Sequence, residues 1–305
     1  MPLFPHDELR YFFFGLQAGL ANAATNGLQL GLKKTLGKIT QPINAPSRYA
    51  EYYCFDSAIR EHAARQPEPR RLRILDVGSP KLMGLYVART TSATVLMSDI
   101  SSLNVDEYRA MWCALRDRAY GSASFALQDA RALPFRAGEF DVVYSMSVVE
   151  HIEGEYGDRD AVREFIRVLR PGGLLLISVP FGFRYIEQQR IGFAGAAKYM
   201  GDRQAYFFQR IYDRRAFECR ILDQARSFAD LRVTTIARVR PLLWRGWGRL
   251  GENARGALGF LNPVLSSAIN QRRPGIDDRF DVSYGPIHSA RDVYGDLILA
   301  GWKRR

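Results

Sequence analysis

Three acids, a glycine and a histidine stand at the ends of apolar runs, where a folded chain could put them to chemical use. In ILDVGSPKLMG, residues 74–84, the run carries Asp76 and breaks at Gly78. A glycine there lets a ligand come close to the backbone, because no Cβ intervenes. Asp76 beside it can take a cationic or hydroxyl group. Asp99 closes the next apolar run, TVLMSDI at 94–100. A carboxylate at a strand end can accept both hydroxyls of a ribose; the same position also suits a helix N-cap or a turn. Glu150 and His151 follow a later run, FDVVYSM at 140–146. His151 is the best-placed candidate base for a hydroxyl nucleophile, and the pair fits equally a role in ordering its loop.

The elements that must position these residues alternate. Residues 72–77, 94–100, 124–127, 140–146 and 174–179 read as strands, short and rich in β-branched or apolar side chains. Residues 82–89, 105–120 and 160–169 read as helices between them, the last stopped by Arg170-Pro171-Gly172-Gly173. Strands alternating with helices imply a parallel sheet with right-handed crossovers, whose ligands bind at the carboxyl ends of the strands. Asp76, Gly78, Asp99, Asp129 and residues 145–151 are thereby expected on one edge. Asp141 starts its strand and reads as structural. After Pro180 the alternation stops. Residues 213–228 look helical, and 232–239 and 296–303 look like two last strands pairing antiparallel. Residues 181–212 and 241–288 read as insertions on the substrate side.

Composition narrows the classes. The chain has 305 residues, 47% hydrophobic and 25% charged, enough for one large decorated domain. Its three cysteines lack CxxC spacing, which argues against a disulfide framework or a structural zinc site. The net charge of +11 is nearly all arginine and scattered, so it reflects either anionic partners or a general preference for arginine. From Tyr11 to Leu32 no charge occurs, yet Gln17, Asn22, Asn26 and Gln29 make the run too polar for a span. A buried or interfacial helix is expected there.

The series LDVG, SDI, QDARALPFRAGEFDVVYSMSVVEHI and RVLRPGGLLLISVP resembles the type-11 group of class I S-adenosylmethionine (SAM)-dependent methyltransferases. The resemblance covers residues 71–180. It implies a Rossmann-like α/β fold with a seven-stranded, mostly parallel sheet flanked by helices. It places an N-terminal helical extension at 1–70 and the methyltransferase domain at 71–305. It implies SAM as cofactor, with Asp76, Gly78 and Ser79 beside the methionine portion and Asp99 and Ile100 at the ribose. Asp129 and Ala130 would meet the adenine, and Ser145 and Met146 would lie at the transfer pocket. One departure is plain. The family's first motif continues G-x-G-x-G, whereas here Ser79 and Pro80 follow Gly78, and proline has no N–H to donate.

The chemistry implied is methyl transfer, with His151 as the catalytic residue for a hydroxyl acceptor. Some relatives hold a metal through E-x-x-E-H at this place; here Ser147 replaces the first acid, so no metal is expected. The G-x-G-x-x-G of a dinucleotide-binding dehydrogenase is absent. A small-molecule or glycan acceptor, O-methylated, is the leading expectation, with a lipid-linked saccharide as one form of it. Tyr284 and His288 could fold over the pocket, and Tyr49, Tyr52 and Tyr53 either cap it or pack on the core. The absence of a (D/N)PPY motif and of an attached RNA-binding module disfavours nucleic acid. An RNA methyltransferase and a degenerate, non-catalytic binding subunit are the alternatives. The expected location is cytoplasmic, with peripheral association at the inner membrane surface through the N-terminal helix and the Trp/Arg-rich residues 243–261. The oligomeric state is left open.

Overall fold

The computed structural model describes residues 6–26, 46–67, 70–80, 82–191, 205–237, 276–277 and 293–304. Outside them lie residues 192–204, nearly all of 241–288, and with these Trp244, Trp247, Tyr284 and His288.

Five strands build the parallel part of one sheet: β1 (Arg73–Val77), β2 (Thr94–Asp99), β3 (Ser122–Leu127), β4 (Phe140–Met146) and β5 (Leu169–Gly182). Two further strands, β6 (Ile186–Ile191) and β7 (Ala205–Ile211), form a separate antiparallel pair. β8 (Asp230–Ala237), the two-residue β9 (Ile276–Asp277) and β10 (Val293–Trp302) complete the main sheet. Its order is β3-β2-β1-β4-β5-β10-β8-β9. This is the expected Rossmann-like sheet of seven strands, with β9 added at its edge. β10 runs antiparallel to both neighbours, so Asp296 near its start lies opposite Pro180 near the end of β5.

All seven residues of β4 are buried, as expected where a parallel strand is covered on both faces. On one face Ile74, Val95, Tyr144 and Leu176 pack in a cluster with α1 (His6–Asn26), α2 (Pro46–Ala64), α3 (Leu82–Thr90) and α4 (Ser102–Leu115). On the other, Leu75, Val143, Ile177 and Leu299 pack on α5 (Gly157–Val168) and α6 (Arg214–Arg220). Successive residues therefore serve opposite layers, which is the two-residue period of a strand.

The uncharged N-terminal run is a packed helix from Tyr11 to Asn26, the part of it that the structure describes. Tyr11, Phe14 and Ala18 form a buried stripe at helical spacing, and Tyr11 donates its hydroxyl to buried Asp56 at 2.9 Å. Burying Phe14 alone stabilises this docking by roughly 2 kcal/mol. Among the described residues no helix is long and apolar enough to cross a membrane.

Three boundaries differ from expectation. α4 begins at Ser102, because Ser101 caps it, and it gives way at Leu115 to a 3-10 turn. The expected helix at 213–228 is the short α6 followed by a second 3-10 turn, Leu222–Ala225. β5 starts at Leu169, so the Arg-Pro-Gly-Gly segment is a bulge inside a strand. Gly172 takes φ 74° there, and Gly172 and Gly173 exchange backbone hydrogen bonds with Lys303 at 2.9 and 3.0 Å. Asp141 is structural in the structure too, accepting from Arg70 at 2.6 Å and from the Arg73 N–H at 2.7 Å.

Candidate active site

The parallel register sets Asp76 beside Met97 and Tyr144, and Asp99 beside Leu127, so the strand-end acids share one edge. At the first turn Gly78 has φ 68°. A Cβ added there would stand 2.6 Å from a Val148 methyl, so the position demands glycine on two counts. Asp76 is fully buried and organises the turn. One carboxylate oxygen accepts the Ser79 N–H at 3.2 Å and the other the Tyr144 hydroxyl at 3.0 Å. Ser79 in turn accepts the Met146 N–H on its hydroxyl at 2.9 Å. The Gly78 N–H is spent on the Ser98 carbonyl, 2.9 Å away. Side chains thus hold a loop path that glycines hold in the family's usual motif.

Asp99 and Asp129 differ in what they offer. Asp99 is oriented by the Ser101 N–H at 2.9 Å and the Asn104 side-chain amide at 3.3 Å. A carboxylate offers about four lone-pair sites, the acceptor chemistry that a pair of ribose hydroxyls needs. Beside it Ile100 is 72% exposed, a flat aliphatic surface suited to a base. Asp129 is clasped by Arg131 through three side-chain contacts of 2.7–3.1 Å. Its bond to that guanidinium holds the carboxyl below the ordinary carboxylate range. Contact with an adenine amine would require Arg131 to yield or share. Ala130 is half-buried next to it. The Ser145 and Met146 side chains point elsewhere: Ser145 donates to the Val77 carbonyl at 3.0 Å, and Met146 is packed in the core. These acceptors and surfaces suit an adenosine group, with the turn at Gly78 its least ordinary part.

The end of β4 is the most specialised region. Ser147 adopts φ 51°, rare outside glycine. Its N–H donates to the Ser178 carbonyl and hydroxyl, each at 3.1 Å. Its hydroxyl donates to Glu51 at 3.3 Å and accepts from Arg48 at 2.8 Å. Arg48 pairs with Glu51 at 2.7 Å, and Glu51 also accepts the Ser178 hydroxyl at 2.6 Å. Both belong to α2, which sequence reasoning credited only with tyrosines. Of those, Tyr52 is buried against Tyr11, ring centres 5.9 Å apart.

A cavity of about 130 Å³ opens here, lined by Arg48, Ser147, Glu150, His151, Pro180, Gln209 and Asp296. His151 Nδ1 lies 2.6 Å from the Phe208 carbonyl, and the two rings meet edge to face. A carbonyl can only accept, so Nδ1 carries the proton and Nε2 the lone pair. Nε2 stands 3.8 Å from Glu150. Glu150 is 1% exposed, and burial pushes its carboxyl well above the ordinary range. The loop is pinned by Arg210, which is buried and donates to the Ile152 carbonyl at 2.6 Å and to that of Gly154. Arg48, Glu51, Gln209 and Asp296 were not foreseen as site residues. The signal available was Glu51 itself, an acid inside an aromatic run, since buried acids need partners.

Residues 75–177 match the family model described as "Methyltransferase domain". Methyltransferase GfsG of Streptomyces halstedii is 38% identical over 110 residues, 35% of this chain and 37% of that protein. O-methyltransferase cnsE of Penicillium expansum is 31% identical over 129 residues, 40% of this chain and 43% of that one. The chain thus spans less than half the length of these curated relatives. A solved SAM-dependent methyltransferase from Methanosarcina mazei is 17% identical, with TM-score 0.47, covering 77% of this chain and 94% of its own.

Proposed function

Since residues 75–177 form a class I SAM-dependent methyltransferase domain, we propose that this chain methylates a hydroxyl of a small-molecule or glycan acceptor, with His151 taking the proton. The observation that carries this reading is the bond from His151 Nδ1 to the Phe208 carbonyl. It orients Nε2 as an acceptor on the wall of a cavity at the ligand edge of the sheet.

SAM, when bound, supplies a methyl group already made electrophilic by its sulfonium. The chain's own work is placement and proton handling. Asp99 holds the ribose end, with Asp129 and Ile100 at the base. The turn at Gly78 allows close approach of the backbone. His151 Nε2 accepts the hydroxyl proton as the oxygen–carbon bond forms and the carbon–sulfur bond breaks. Ser147, tied to Ser178, Arg48 and Glu51, closes the wall beside it and limits water.

The test is calorimetry with S-adenosylhomocysteine, followed by transfer of labelled methyl from SAM to a panel of hydroxylated small molecules and saccharides. Micromolar binding and His151-dependent labelling are expected. A folded protein that gives no heat with either nucleoside would end the enzyme reading. Transfer that persists unchanged in His151→Gln would remove that residue's role.

A further inference from the structure

We propose that Glu150 is the anchor of a cation subsite, and that it receives an ammonium group carried by the acceptor. The inference rests on reading the cavity as the acceptor side of the methyltransferase site.

The charges around the cavity are unequal. Glu51, Glu150 and Asp296 are buried at 0, 1 and 0% exposure, and the cation among the lining residues besides the titratable His151 is Arg48. Arg48 is already committed to Glu51 at 2.7 Å and Ser147 at 2.8 Å. Glu51 in turn is occupied by Arg48, Ser147 and Ser178. Glu150 is different. Its Oε2 is buried and has no hydrogen-bond partner among the described residues. A buried carboxyl oxygen without a partner costs free energy, and one kept on a cavity wall needs a reason.

The surroundings choose the ligand's charge. The buried acids Glu51 and Asp296 disfavour a phosphate or a carboxylate ligand, whereas an ammonium gives Glu150 Oε2 the donor it lacks. Gln209 adds a neutral acceptor, since its amide nitrogen is engaged with Gln188 at 2.8 Å and its carbonyl oxygen remains. Size sets a limit too. A cavity of about 130 Å³ has room for an ammonium head on a stem of a few carbons or one small ring. The groups facing Glu150 are Arg48 and Glu51 from α2, Asp296 from β10, His151 beside it and Tyr212 beyond β7. Burial and these acids favour the protonated carboxyl, and an ammonium neighbour favours the carboxylate, so Glu150 releases its proton to solvent as the ammonium binds.

The experiment uses the full chain with three probes of similar size, n-propylammonium, n-propanol and propionate, in thermal-shift titrations at matched ionic strength. S-adenosylhomocysteine affinity is measured in parallel. Propylammonium should bind at least tenfold more tightly than the other two. Glu150→Gln should lose that preference while keeping nucleoside affinity within about twofold. Equal binding of propanol and propylammonium by the unaltered protein would overturn the proposal, whether or not the variant folds. A preference that survives in Glu150→Gln would overturn it as well. Glu150-dependent propylammonium binding without nucleoside binding would instead keep the subsite and end the methyltransferase reading.

Discussion

Glu51 and Ser178 are bonded at 2.6 Å, a carboxylate from an early helix meeting a hydroxyl from the fifth strand. The contact ties the N-terminal segment to the strand edge that the family motifs define. The N-terminal residues are therefore part of the site's wall, and the segment matched by the family model does not contain the whole cavity. The mutational expectations follow from such contacts.

His151→Gln keeps a polar side chain that can still reach the Phe208 carbonyl, but it lacks a basic nitrogen. General base catalysis contributes typically about 10²–10⁴-fold. The expected result is a kcat lower by that order, with S-adenosylhomocysteine affinity unchanged. Rates measured at saturating acceptor with calorimetric affinities separate the two effects.

Asp99→Asn preserves shape and the contact with the Ser101 N–H, and removes the charge. Hydrogen bonds to charged groups contribute about 1.5–3 kcal/mol. Nucleoside affinity should fall roughly 10- to 100-fold, while melting temperature in the absence of ligand stays near that of the parent. An unchanged dissociation constant would show that the ribose lies elsewhere.

Gly78→Ala meets both a left-handed backbone and a Val148 methyl 2.6 Å from the new carbon. The strain should lower stability by about 1–3 kcal/mol. Urea unfolding measures it. The double variant with Val148→Ala should recover the steric part and leave the backbone part.

His62 gives the protein acid sensitivity. It is 1% exposed, and its pKa is pushed down to about 4, first by burial and then by Arg70 and Arg65. Gln66 donates to its Nε2 at 3.2 Å, and Nδ1 has no partner among the described residues. The folded chain keeps this ring neutral while the unfolded chain protonates it near pH 6.5. The unfolded state therefore binds more protons between about pH 6.5 and 4, and stability falls as the pH drops through that window. The loss should be of order 2–3 kcal/mol. His62→Gln should flatten that slope in unfolding midpoints measured from pH 7 to 4.5.

β1, β4 and β5 were legible because parallel strands, covered on both faces, leave uninterrupted apolar runs such as 140–146. β10, although antiparallel, leaves a similar run at residues 297–299 because those residues are buried. The β6–β7 pair was not: IEQQRI carries four polar residues in six and shows no apolar face. Arg48 and Glu51 were hidden because α2 has no amphipathic face. It buries Tyr52, Phe55 and Ile59 together with Glu51, Asp56 and His62, so periodicity could not tell wall from core. Asp99 was read from its place at a strand end, and the structure puts it on the same sheet edge as Asp76. Ser145 and Met146 share that place, yet their contacts turn inward, and position alone could not reveal it.

The cavity has a consequence for the order in which the chain matures. Its walls come from residue 48, from 147–151, and from Pro180, Gln209 and Asp296, and its tie between Glu51 and Ser178 closes a loop of 127 residues. Long closures lose chain entropy before the contact stabilises anything, and so they form late. Asp76, Gly78 and Asp99 sit within adjacent strands of local connection. A refolding chain should recover its hold on the nucleoside first and its acceptor chamber last.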